Sequence, residues 1–343
     1  MKKISILLLI TFLLGCNAKQ EVKAPKIQIK KFKIEDCSIR AITVLNDTSV
    51  AFAGSNGVFG IINNKGIISN LNKIKYDTIK PEFRTITSTT NDIFILSVAN
   101  PALLYKIKND SLVLVYKEVN KKVFYDSMHF FDDKNGIAMG DPTENCLSII
   151  TTNNAGNTWH KMPCSNLPKI EKGEAAFAAS NTNIKIIKDK VWLATGGLKS
   201  RVFYSSDKGK TWEVSNTPII QGEATTGIYT IDFYDENNGI IAGGNYTNKF
   251  EKSTNKAITT NGGKTWTAIA TNLSPNYVSC IQYVPNSKGK KIIAVSTNGI
   301  FYSGNSGKKW EKLSNEGFYA IKFVNKNLAW LSGNNILAKM EIN

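Results

Sequence analysis

Arginine is almost absent from this chain. Of its 43 lysines and arginines only Arg40, Arg84 and Arg201 are arginines, and its two histidines are His129 and His160. Two histidines cannot build a metal cage alone, and no Cys/His spacing suits zinc. No dinucleotide fingerprint, paired redox cysteine motif or haem motif occurs, and neither histidine lies near a nucleophile motif. No cofactor is therefore expected. The formal charge of +16 comes from lysines dispersed along the chain. Without a lysine cluster interleaved with aromatics, this reads as a solvated surface with no nucleic-acid partner. Long helical periodicity is missing too, and 343 residues suffice for one large all-β domain.

What is present is a repeated turn. Ser205-Ser206-Asp207-Lys208-Gly209-Lys210-Thr211-Trp212 supplies a hydroxyl, an Asx side chain and a glycine for a tight turn, then resumes a strand with an aromatic to bury. The octets ending at Trp159, Trp266 and Trp310 keep the hydroxyl, the Asx, the Gly and the Trp in register, with Asn in place of Asp. Hairpins recurring at such intervals mark a repeat architecture, and all-β units of this length are propeller blades.

Seven units can be laid out, starting near Ile39, Arg84, Phe124, Ala175, Ile228, Val278 and Phe318. The last is one strand short, and the alternating stretch Ile27 to Phe32 is expected to complete it, closing the ring and covering edges that invite aggregation. The expectation is one all-β propeller over residues 26–343, with seven blades of four antiparallel strands; six or eight remain open, and seven fits with least strain.

The octets resemble the Asp-box, the S-x-D-x-G-x-T-W turn of sialidase-like propellers, which implies a structural turn on the outer hairpin of each blade. The chain after residue 25 is similar to the photosystem II assembly-factor type of propeller through Phe83-Arg84, Asn100-Pro101-Ala102, Gly140-Asp141-Pro142, Gly173 to Ser180, Thr195-Gly196-Gly197 and Gly243 to Tyr246. That resemblance implies a propeller that binds or helps assemble envelope components; some relatives carry an oxidoreductase label.

At the N-terminus, Lys2 and Lys3 precede an apolar run from Ile4 to Leu14, too short to span a bilayer and shaped like a signal peptide. Leu13-Leu14-Gly15-Cys16 resembles the bacterial lipobox, which implies cleavage after residue 15, lipidation of Cys16 and a tether over residues 16–25. The expected location is the cell envelope, lipid-anchored, at the outer membrane. Disulfides form in such a compartment. Cys146 and Cys164 lie symmetrically about Ala155, which suits a cross-strand disulfide, whereas Cys37 and Cys280 read as buried thiols.

The innermost strands of a propeller line its central channel, and loops at one end form the usual binding face. Arg40 and Arg84 fall at the starts of innermost strands. Arginine's planar fork binds carboxylate or phosphate bidentately, where lysine offers a point charge. The candidate binding residues are Arg40, Arg84, Asp141, Glu174, Arg201 and Tyr246, with an envelope protein or acidic polysaccharide as partner. The favoured function is a non-catalytic binding or assembly module. The alternatives are a sialidase-like glycoside hydrolase, for which three arginines, Tyr246, Tyr277, Glu174 and Asp141 are candidates, and an oxidoreductase.

Overall fold

A computed structural model describes residues 23–109 and 111–343. The proposed signal peptide and Cys16 lie outside the described residues. Among the described residues every regular element is a β-strand apart from two short 3-10 turns, Ser55–Gly57 and Cys164–Asn166. Among the described residues no helix is long and apolar enough to cross a membrane.

The strands hydrogen-bond into six sheets, four of four strands and two of six. Counted by sheet, the propeller has six blades, and the expected seven are overturned. The reason is one continuous strand, Ile27–Asn46. Its first part pairs antiparallel with the C-terminal strand, from Ile27 opposite Ile342 to Lys33 opposite Ile336. Its second part pairs with Ser49–Gly54, from Ile39 opposite Gly54 to Asn46 opposite Ser49. The units expected to be first and last therefore share one six-stranded sheet.

Between sheets the core is assembled face to face. Ala51, Phe59 and Ala53 of the first sheet meet Phe83, Ile95 and Leu103 of the second. Phe94, Leu96 and Leu104 of the second meet Met128, Ala138 and Ile150 of the third. In the middle strands both faces are buried, as in Gly239–Asn245, which explains their near-continuous apolar sequence.

The four octets fold alike. Ser205 Oγ accepts from the N–H of Gly209 at 2.8 Å, and Asp207 Oδ1 accepts from the N–H of Thr211 at 2.9 Å. Thr152 with Asn154, Thr259 with Asn261, and Ser303 with Asn305 repeat the pattern. Asn serves as well as Asp because the bonded atom is the shared carbonyl-type oxygen. The glycine has two reasons to be there. Gly156 sits at φ 69°, and a Cβ on it would lie 2.2 Å from the Phe94 ring of the preceding sheet.

The ring is not an open tube. The segment 176–183 crosses its centre and bonds to the innermost strands of four sheets. Asn181 Nδ2 donates to Ile86 O at 2.7 Å, and Asn181 Oδ1 accepts from Met128 N at 2.9 Å. Thr182 Oγ1 bonds Thr230 Oγ1 at 2.8 Å, and Ser180 Oγ donates to Ser279 O at 2.6 Å. Ser180, Asn181 and Asn183 are fully buried. This plug divides the channel into two separate mouths.

Candidate functional site

One mouth is a cavity of about 520 Å³ floored by Ala175 to Ala179 of the plug. Arg40, Arg84, Asp141 and Tyr246 line it, together with Phe124, Tyr229, Lys249, Tyr277 and Tyr319. The starts of inner strands deliver Arg84, Phe124, Tyr277 and Tyr319, and the ends of the strands beside them deliver Asp141 and Tyr246.

Arg40 has no carboxylate partner among the described residues. Its Cζ stacks 4.2 Å from the Tyr319 ring centroid, and its Nη1 reaches only Ala179 O, at 3.4 Å. Its Nε is buried without a hydrogen bond. Burial, and then the neighbouring charge of Arg84, pull its pKa below the ordinary arginine value. Arg84 is better satisfied: Nε and Nη2 bond Glu82 Oε1 at 2.7 and 2.6 Å. Lys249 Nζ lies 5.7 Å from the Tyr277 centroid.

Two carboxyls stand beside these cations. Asp141 Oδ1 accepts from Ala176 N at 2.8 Å, and burial pushes its carboxyl up to about 6. Asp126 is fully buried, and its carboxyl is approached by the Ala178 backbone amide without a close hydrogen bond. Burial, and then the charge of Asp141, raise its pKa well above the carboxylate range, with Arg84 opposing.

An aromatic wall completes the site. Phe177 meets Tyr229 edge-on with centroids 4.5 Å apart, and Tyr246, 45% exposed, packs on both. Tyr246 N donates to the Tyr229 hydroxyl at 3.2 Å. Such a surface offers a peptide flat apolar area at little entropic cost.

Glu174 and Arg201 do not line this cavity. They bind each other: Arg201 Nε lies 3.0 and 3.1 Å from the two Glu174 carboxylate oxygens, and Thr195 Oγ1 donates to Oε1 at 2.6 Å. The three arginines accordingly do not converge. Cys146 and Cys164 are joined in a disulfide with Cα atoms 5.5 Å apart, at the outer side of the third sheet. Cys37 and Cys280 are buried free thiols, and burial pushes Cys37 up to about 12.

Lys249 and Tyr319 were not among the residues singled out from the sequence. Tyr319 had a readable signal, since it immediately precedes the inner strand Ala320–Asn325. Lys249 sits in a loop among many other lysines and had none. The plug is visible in sequence only as a small-residue run, Ala175-Ala176-Phe177-Ala178-Ala179-Ser180.

No protein-family model and no curated protein matches the sequence. Solved structures do match in shape. YCF48 bound to D1 peptide superposes with TM-score 0.67 at 11% identity, covering 92% of this chain and 96% of that one. YCF48 from Cyanidioschyzon merolae gives TM-score 0.66 at 9% identity over 91% and 98% of the two chains. The WD40 repeats of RRP9 give 0.65 at 10% identity over 94% and 99%. The likeness to the assembly-factor type of propeller thus holds at the level of fold.

Proposed function

We propose that this protein is a non-catalytic binding module of the cell envelope, held to a membrane by a lipid on Cys16, which docks an acidic segment of a protein partner in the arginine-bearing mouth. The observation that carries the reading is Arg40: a half-buried guanidinium, stacked on Tyr319 and lacking any carboxylate of its own. Such a group is left electrostatically unsatisfied until a ligand's carboxylate meets it. Lys249 and Arg84 add charge, and the tyrosine wall adds contact area, as in other protein-recognition surfaces. The similarity in fold to YCF48 bound to D1 peptide is in keeping with a peptide ligand.

Binding is preferred over glycoside hydrolysis on geometry. A sialidase-like site needs three arginines on one carboxylate and a glutamate beside a tyrosine nucleophile. Here Arg201 and Glu174 are spent on each other outside the cavity.

The test is capture of the intact protein from native membranes beside an Arg40→Ala/Arg84→Ala double variant, with bound proteins identified by mass spectrometry. A stoichiometric partner retained by the wild type and lost in the variant is the expected result. A partner retained equally by both, or no partner with either, overturns the reading. Acidic glycans, screened for binding and cleavage in parallel, are the competing ligands.

A further inference from the structure

The other mouth, on the far side of the plug, has its own chemistry. It is a cavity of about 310 Å³ lined by the ends of the inner strands, including His129, Lys185, Asp232, Gln282 and Lys322. The charges there do not balance. Lys185 Nζ pairs with Asp232 Oδ1 at 2.6 Å, and Lys188, also on the rim, pairs with Glu236 at 2.7 Å. Asp232 is fully committed, because its Oδ2 accepts from Tyr283 N at 2.7 Å. Lys322 is left over, with no hydrogen bond or ion pair among the described residues, and it is half-buried.

A half-buried ammonium without a counter-charge is a standing cost. Consistent with this, burial and then the nearby Lys185 hold the Lys322 ammonium below the ordinary lysine range, with Cys280 and Asp232 opposing. One neutral group beside it also favours an anion. Gln282 Oε1 accepts from Phe323 N at 3.2 Å, which turns the remaining NH₂ of that amide into a free donor. His129 spends its one N–H on Asn181 O at 3.0 Å and is held neutral by burial, so it adds no donor.

We propose that this second mouth is an oxyanion site that takes a phosphate-type group, with Lys322 as its principal cation and Lys185 and Gln282 as further donors. The donors are lysine and amide, with no planar guanidinium fork among them, which suits a compact tetrahedral anion. The cavity is large enough for a small phosphoryl group and is separated from the first mouth by the Asn181 plug. The group could be free phosphate or the headgroup of an anionic lipid, and both present the same oxygens.

Calorimetric titration of the protein with inorganic phosphate at neutral pH tests the site, alongside co-sedimentation with phosphatidylglycerol vesicles. Saturable phosphate binding is expected, at least about tenfold weaker in Lys322→Gln, since a hydrogen bond to a charged group contributes that much. Any phosphate taken by the arginine-bearing mouth is read apart, as the binding that Arg40→Ala removes and Lys322→Gln leaves. Sedimentation with the vesicles that is lost in Lys322→Gln assigns the lipid headgroup; saturation without sedimentation assigns the free anion. Lys322→Met guards against misfolding: it is expected to be at least as stable as wild type without phosphate and to lose the phosphate-dependent rise in Tm. Wild-type affinity in Lys322→Gln, equal loss in Arg40→Ala, or neither phosphate saturation nor vesicle retention overturns the proposal.

Discussion

Arg201 closes over the carboxylate of Glu174, with Nη2 2.5 Å from Oε2 and the Glu174 side chain wholly buried. Two of the residues most suggestive of a binding site thus neutralise each other inside the protein. Truncating one partner of a buried pair leaves an uncompensated charge. Arg201→Met is therefore expected to lower unfolding stability by about 3–5 kcal/mol, whereas Glu174→Leu/Arg201→Met recovers most of the loss. Urea denaturation of the single and double variants measures both. A loss below about 1 kcal/mol in Arg201→Met would sink the assignment, being what an exposed pair contributes.

Asp141 makes the first mouth sensitive to acid. Its carboxyl, pushed up to about 6 by burial, lines the cavity with Arg84, Arg40 and Lys249 and lies near the carboxyl of Asp126. A raised carboxyl pKa means that the folded protein holds a proton which the unfolded chain has already released. The associated stability is present at low pH and is lost as pH rises towards 6. The ionised Asp141 also repels an acidic ligand. Affinity for an acidic peptide is expected to weaken about three- to tenfold as pH rises through that value. In Asp141→Asn the profile is expected to be flat, and a wild-type-like pH dependence in that variant would refute the assignment. Fluorescence polarisation across pH 5 to 7 is the measurement.

Lys256 gives the opposite slope. Its side chain is fully buried, with Nζ donating to Asn255 Oδ1, Pro275 O and Leu273 O at 2.7, 2.8 and 3.0 Å. Burial lowers its pKa to about 7 from an ordinary 10.5. Between those values the unfolded chain binds a proton that the folded protein has released, so stability rises with pH across the window. The slope is at most about 1.4 kcal/mol per pH unit. In Lys256→Met this rise is expected to vanish relative to wild type. Urea midpoints of the two proteins at pH 6.5, 8 and 9.5 give the comparison, and parallel curves would exclude the role.

The sequence by itself determined the local structure, because the interactions involved are local. The octet turns bond a hydroxyl or Asx oxygen to amides no more than four residues away, so Ser205, Asp207 and Gly209 could be read without any partner strand. Strand content and all-β character follow equally from short-range pattern. Part of the site was legible by the same means, since Arg40, where the long strand begins to pair with Ser49–Gly54, and Arg84, near the start of Phe83–Ser88, both reach the mouth.

Tertiary structure decided the rest. The count of six sheets depends on Ile27 to Lys33 finding Ile336 to Ile342, at the far end of the chain. The fate of the arginines depends on distance in space: Arg40 meets the plug 139 residues away and keeps its charge unpaired, while Arg201 finds Glu174 27 residues away and spends it. The plug is the clearest case. Asn181 bonds Ile86 O across 95 residues, and only a closed ring brings those atoms together. Hydrogen bonds to a turn's own backbone are encoded by spacing, whereas contacts across a ring depend on the packing of every sheet between them.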